Sequence, residues 1–258
     1  MKTPISYYGG KQSMLKHILP LIPEHKVYIE PFFGGGAVFW SKPQSDVEII
    51  NDYNENVVNF YRELKSNYAE LKRLIDATPY SRDVYKHAMV IYDNPYIFTN
   101  AQRAWAFWVG TVQGFSNKIG SWRSSTQRSK ESLLNFNKKD RFNEDLSKRL
   151  ELVQIEHKDA VELIKKQDSI DSFFYIDPPY VGANQGHYGG YTQEHFNDLL
   201  KVLSTIKGKF LLSSYPNDIL EKYRSTYNWH SSDKDMALSA SKTKMLRKTE
   251  ALTANFLI

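Results

Sequence analysis

Three consecutive glycines, Gly34-Gly35-Gly36, stand directly behind a short β-prone run, Val27–Glu30, and a second such run at 47–50 ends at Asn51-Asp52. A strand that runs into glycines can turn sharply and carry its backbone close to a ligand, because no Cβ intrudes and φ can be positive. Strand, glycine turn, helix and strand in that order open a doubly wound α/β unit. In an open sheet of that kind the turn lies at the carboxyl end of the strand, where ligands bind. The segment Phe32-Phe33-Gly34-Gly35-Gly36 lacks the GxGxxG spacing of a dinucleotide fold. Asp52 follows the next strand, about 20 residues on, where an acidic side chain accepts hydrogen bonds from ribose hydroxyls. Together the two features imply a nucleoside-containing cofactor. Taken singly, a glycine run is equally a tight turn and an Asp behind a strand equally a helix cap.

Periodicity extends the α/β reading along the chain. Residues 12–19 place Met14, Leu15, Ile18 and Leu19 on one helical face. From 54 to 150 the pattern is mainly helical, with 101–112 its most apolar piece, where core packing is the expected role of Trp105 and Trp108. Strand patterns return at 152–155, 173–176 and 209–213, helical ones lie at 160–166 and 194–203, and the tail 248–258 alternates as a final strand. The expected organisation is a discontinuous catalytic domain, 1–58 and 151–258, interrupted by a helical insert, 59–150. Charge follows the same division. Residues 62–150 hold 16 basic and 9 acidic side chains, against 18 and 20 in the rest, so all of the net +5 comes from the middle. Such a concentration marks a polyanion-binding surface and is equally compatible with a solvated charged face.

Several classes are excluded or disfavoured. No apolar run approaches the roughly 20 residues of a membrane helix, and the first residues carry no hydrophobic signal core, so the cytoplasm is the expected location and no membrane partner is expected. With no cysteine, disulfides and thiolate metal sites cannot form. The seven histidines make no HExxH cluster, and no catalytic metal is expected.

The most informative short segment is Asp177-Pro178-Pro179-Tyr180, at the end of the β-prone run 173–176. Two prolines stiffen the backbone and remove N–H donors, leaving carbonyls to face whatever binds. An exocyclic aromatic amine is a poor nucleophile, its lone pair being delocalised into the ring. The Asp177 carboxylate and the Pro178 carbonyl can accept its two N–H hydrogens and favour a geometry in which the lone pair meets an incoming methyl group. Tyr180 can stack on the base. A base inside a duplex has to be flipped out to reach such a site.

Taken in order, these motifs resemble those of the Dam-like, D12-class family of N6-adenine DNA methyltransferases, over nearly the whole chain. Tyr7-Tyr8-Gly9-Gly10-Lys11 is similar to the family's N-terminal cofactor motif, Glu30-Pro31-Phe32-Phe33-Gly34-Gly35-Gly36 to its glycine motif and Asp177-Pro178-Pro179-Tyr180 to its catalytic motif. The resemblance implies a Rossmann-like S-adenosylmethionine-dependent methyltransferase sheet, α/β in class, with a mainly helical inserted target-recognition domain. It further implies S-adenosylmethionine as methyl donor, S-adenosylhomocysteine as product, and double-stranded DNA as partner. It puts Tyr7 and Lys11 against the cofactor, Phe32, Gly34 and Gly36 around its methionine part, Asp52 on its ribose and Asp159 at its adenine, with Asp177 also in contact; Asp159 is equally a helix cap. Asp177, Pro178 and Tyr180 are the implied catalytic residues. The alternatives are methylation of cytosine N4 or of an RNA base, and a non-catalytic nucleic-acid-binding protein on the same fold.

The insert departs from the family's best-known specificity. Members that read GATC carry an aromatic-Asn-Gly segment followed closely by Arg, whereas this chain has Gly114-Phe115-Ser116-Asn117-Lys118-Ile119-Gly120-Ser121-Trp122-Arg123. GATC is therefore not carried over. Lys118, Arg123 and Arg128 are the expected DNA contacts, to phosphate before base edges, and Phe115 or Trp122 can fill the space left by a flipped base. Residues 181–191, with four glycines, are a candidate loop over the target base. A restriction endonuclease partner, a solitary host role and a phage role all fit the sequence, which leaves the oligomeric state open.

Overall fold

The computed structural model describes residues 1–124, 130–180, 190–237 and 247–258. They fall into two compact units. Met1–Ser13, Gly34–Lys42 and Asp52–His157 form the first, and Met14–Phe33, Pro43–Asn51 and Lys158–Ile258 the second.

The second unit is built on parallel strands. β1 (Val27–Glu30) pairs in parallel with β2 (Val47–Asn51), in the register Ile29↔Ile49, and with β4 (Ser172–Ile176), in the register Ile29↔Phe174. β4 pairs in parallel with β5 (Lys209–Ser214). β7 (Arg247–Ala254) runs antiparallel between β5 and β6 (His230–Ala237). The short β3 (Gln154–Glu156) belongs to the first unit, and among the described strands of the second the order is β2-β1-β4-β5-β7-β6. All five residues of β4 are buried, which is why its sequence is a continuous apolar run instead of an alternating one. The chain leaves β1 towards β2 and leaves β4 towards β5, so β1 and β4 flank the point where strand order reverses. Loops at the carboxyl ends of two such strands diverge and open a crevice.

One face of this sheet is apolar. Ile29, Ile49, Phe174, Ile176, Phe210 and Leu212 pack beneath the helices Ala160–Gln167, Gln193–Leu203 and Asp218–Tyr227, through Leu163, Leu199, Leu203 and Leu220. Strand alternation puts the intervening residues on the other face, which is mixed: Ile50, Phe173, Leu211 and Leu252 are apolar, whereas Tyr28 and Glu30 on β1, Tyr175 on β4, Ser213 on β5 and Glu250 on β7 are polar, all buried. The helices start on side-chain caps, from Asp159, Thr192 and Asn217, each accepting from the first turn.

The first unit is helical: Glu55–Ser66, Tyr68–Asp76, Arg82–Asp93, Asn100–Gln113, Lys130–Asp140 and Glu144–Leu150. Asn100–Gln113 is the central element, opened by a reciprocal cap between Thr99 and Gln102. A helix apolar on most of its circumference has to be surrounded, and it packs against the three helices before it. Trp108 is fully buried there with Phe60, Phe107 and Phe142, each side chain contributing about 1.5–3 kcal/mol by leaving water. Trp105 is half-buried and donates its Nε1–H to Thr78 Oγ1 at 2.6 Å.

Local differences from expectation have local causes. The helix expected over 12–19 is only Leu15–Ile18, continuing as a 3-10 turn, Leu19–Leu21, because Pro20 has no N–H for an α-helical bond. The tail strand ends at Ala254. Neither the helix Asp218–Tyr227 nor β6 was expected. β6 is an edge strand of sequence HSSDKDMA, and polar, charged edges lack the apolar alternation that reveals a strand.

Candidate active site

In the first unit, the glycine turn is held from two sides. Gly34 has φ +48°, and a Cβ there would stand 2.7 Å from Tyr7 Cε1, so the Tyr7 ring lies on the bare backbone. The Tyr61 hydroxyl donates to the Gly34 carbonyl at 3.1 Å. From the other side Asp52, 1 % exposed, accepts the Gly34 N–H on Oδ2 at 2.8 Å and the Asn54 N–H on Oδ1 at 2.8 Å. Gly36, also at positive φ, begins the short helix Ala37–Ser41. Lys11 is buried, its ammonium donating to the Gly9 carbonyl at 3.2 Å. Tyr7, Lys11, Gly34, Gly36 and Asp52, distant in sequence, thus share one unit. A buried ammonium, a carboxylate and a backbone turn without side chains form a set of polar groups suited to an amino-acid and ribose ligand such as S-adenosylmethionine.

The second unit carries the remaining residues. Asn51, 1 % exposed, ties the turn after β1 to the segment before Asp159: its Nδ2 donates to the Pro31 and Lys158 carbonyls at 2.9 and 3.0 Å, and its Oδ1 accepts the Lys158 N–H at 2.9 Å. Asp159 itself caps the helix Ala160–Gln167, accepting from Val161 and Glu162. Phe32 stands edge-on to Tyr191, centroids 6.1 Å apart. The tetrapeptide leaves the carboxyl end of β4 with Pro178 buried and Asp177, Pro179 and Tyr180 partly accessible.

Tyr180 is the most constrained member of the tetrapeptide. Its hydroxyl donates to the Glu250 carboxylate and lies 3.2 Å from Ser213 Oγ, and its ring meets Tyr215 edge-on with centroids 4.4 Å apart. Burial, followed by the charges of Asp177 and Glu250 and the bond to Glu250, pushes the Tyr180 phenol well above the usual tyrosine range. Burial and Asp177, followed by Glu30, do the same to Tyr175. Both therefore remain neutral phenols at physiological pH. Pro178, Pro179, Tyr180, Phe196 and Tyr215, with the polar Gln193, Ser214 and Asn217, line a pocket beside the tetrapeptide, aromatic surface with a few polar groups in the manner of a site for a planar ring.

Two of the expected DNA residues, Lys118 and Arg123, sit on a loop of the first unit. Gly114 and Trp122 form a β-bridge, and Arg123 donates from Nε and Nη2 to the Gly114 carbonyl at 3.2 and 3.0 Å. A Cβ on Gly114 would lie 2.1 Å from the Lys118 carbonyl oxygen, so only glycine lets this loop close. Lys118 Nζ stands over the Tyr8 ring, 4.1 Å from its centroid, and Arg82 covers Trp122 at 4.7 Å. Phe115 is 62 % exposed. Arg128 and residues 181–189 of the expected loop lie outside the described residues.

Among the residues of these arrangements without a role in the sequence analysis are Asn51, Ser213 and Glu250. Asn51 had a signal, a polar residue ending an apolar strand beside Asp52. Ser213 and Glu250 had none, lying 33 and 70 residues from Tyr180.

The model of the D12 class N6 adenine-specific DNA methyltransferases matches residues 7–238. The chain belongs to this family. Among curated relatives, the type II methyltransferase M1.LlaDCHI of Lactococcus lactis subsp. cremoris is 27% identical over 96% of this chain and 93% of its own. The type II methyltransferase M.MjaIII of Methanocaldococcus jannaschii is 25% identical over 77% and 76%. A DNA adenine methylase of Vibrio cholerae is 36% identical over a shorter stretch, 24% of this chain and 22% of its own. Membership accounts for the mixed α/β sheet and for the motif order. No described helix is long and apolar enough to cross a membrane, and no described cluster of His, Asp and Glu could hold a metal ion.

Proposed function

We propose that the chain methylates N6 of an adenine flipped out of double-stranded DNA, with Asp177 and Pro178 as acceptors for the amine hydrogens and Tyr180 as the stacking surface. The supporting observation is the placement of Asp177-Pro178-Pro179-Tyr180 at the carboxyl end of β4, beside β1, where the strand order reverses. S-adenosylmethionine, when bound, supplies an electrophilic methyl group on a sulfonium, which makes a metal or a covalent enzyme intermediate unnecessary. Tyr7, Lys11, Phe32, Gly34, Gly36, Asp52 and Asp159, with Asp177, are proposed to hold it. Asp177 draws the amine out of conjugation by accepting one N–H, the Pro178 carbonyl accepts the other, and the stiff tetrapeptide keeps both acceptors in place; catalysis of this kind is orientation and fixed electrostatics.

Residues 59–150 are proposed as the DNA-recognition insert, with Lys118, Arg123 and Arg128 meeting the backbone. Arg123 also shapes the loop that presents Lys118. Incubation with labelled cofactor and unmethylated random-sequence DNA, followed by nucleoside analysis and mapping, tests the proposal. N6-methyladenine in a defined sequence context is expected, and label in N4-methylcytosine or no label at all refutes it. Asp177→Ala is expected to abolish transfer with the thermal midpoint retained; full activity in that variant rules out the assigned chemistry.

A further inference from the structure

A carboxylate on a buried strand is costly: removing an ion from water costs several kcal/mol unless bonds are returned. Glu250 is 7 % exposed on β7, and an apolar residue there would serve the sheet better. Its position follows from the register. Ser213 on β5 faces Leu252 on β7, so Glu250, two residues from Leu252, shares the face of Ser213 and lies beyond it, at the carboxyl end of β5. The Ser213 hydroxyl, fully buried, donates to Glu250 Oε1 at 2.5 Å, and the Tyr180 hydroxyl donates to the same oxygen. Tyr180 would otherwise turn about two side-chain torsions. Glu250 and Ser213 fix its hydroxyl end, and Tyr215 meets the ring edge-on, leaving one orientation with the residue still partly accessible.

We infer that Glu250, seconded by Ser213, is a positioning residue of the methyl-transfer reaction: it aims the ring of Tyr180 at the target base. The inference rests on the proposed stacking role of Tyr180. In this role Glu250 acts through the tyrosine hydroxyl, so its contribution should vanish when that hydroxyl is absent. A displaced stacking surface slows the reaction of bound DNA and leaves cofactor binding alone.

The test is a double-mutant cycle on the full chain, using labelled S-adenosylmethionine and unmethylated genomic DNA at a temperature where every variant is fully folded by circular dichroism. Glu250→Met, which removes the acceptor, and Tyr180→Phe, which removes the donor, should each lower kcat about 10- to 100-fold. Cofactor KM should stay within about twofold of the original. Glu250→Gln, which keeps one acceptor oxygen, should recover part of the loss. The double variant Tyr180→Phe/Glu250→Met should be no slower than the slower single one, because both break the same link. Losses that multiply, or an unchanged kcat in Glu250→Met, overturn the inference. Tyr180→Ala separates it from its premise: if that variant transfers methyl groups at the original rate, Tyr180 does not stack on the base and both readings fall, whereas an inactive Tyr180→Ala with a fully active Glu250→Met removes the positioning role alone.

Discussion

Replacing Asp52 separates two roles that one carboxylate combines. In the structure each of its oxygens accepts a backbone N–H, from Gly34 and from Asn54, both at 2.8 Å, and the residue is 1 % exposed. A hydrogen bond to a charged group is worth about 1.5–3 kcal/mol, and orphaning a buried donor costs a similar amount. Asp52→Ala should therefore lose about 3–5 kcal/mol, less than two full bonds because the Asn54 N–H is only partly buried and can find water. For a chain of this size that lowers the thermal midpoint by roughly 6–20 °C. Asp52→Asn keeps the volume but turns one oxygen into an NH2 that faces an N–H donor, so about half of that loss is expected. The assay is thermal unfolding by circular dichroism without ligand, beside titration calorimetry with S-adenosylhomocysteine at a temperature where both variants are folded. If Asp52 also binds ribose, affinity should fall about 10- to 100-fold, the loss of one charge-assisted bond or so. An unchanged midpoint in Asp52→Asn would refute the clamp, and an unchanged affinity would refute the ribose assignment.

Other parts of the structure respond to different perturbations. Gly34→Ala places a Cβ 2.7 Å from Tyr7 Cε1 at φ +48°; strain of about 1–2 kcal/mol and weaker cofactor binding are expected, read by the same melting and calorimetry. Lys138 donates to the Thr3 and Ile5 carbonyls at 3.0 and 2.9 Å, and burial, followed by Arg141 and Lys2, lowers its pKa from 10.5 to about 8. The folded value lies below the unfolded one, so between pH 8 and 10.5 the unfolded chain binds more protons, and this group's contribution makes stability rise with pH across that window. Subtracting the melting profile of Lys138→Met should expose that rise; a flat difference would contradict the burial of the ammonium. Lys118→Ala should reduce the slope of log DNA affinity against log salt by about one, measured by fluorescence anisotropy, and an unchanged slope would remove Lys118 from the phosphate contacts.

What the sequence alone determined is whatever depends on neighbours in the chain. The glycine turn after β1, the buried run of β4, the tetrapeptide behind it and the helical stretch with its excess of positive charge all have local signatures: an absent Cβ, an apolar period, fixed proline torsions. Their order sufficed for the family. Boundaries gave way where a local rule was overridden, as at Pro20, or where no signature exists, as along the polar edge strand β6. Tertiary structure alone decided the partners. Asp52 meets Gly34 across a turn, Arg123 closes on Gly114 across a loop, and Tyr180 finds Ser213 and Glu250 because β7 runs antiparallel beside β5 in one register. A buried polar atom takes whatever complementary atom the fold brings within about 3 Å, and strand order, not sequence distance, sets which atom that is.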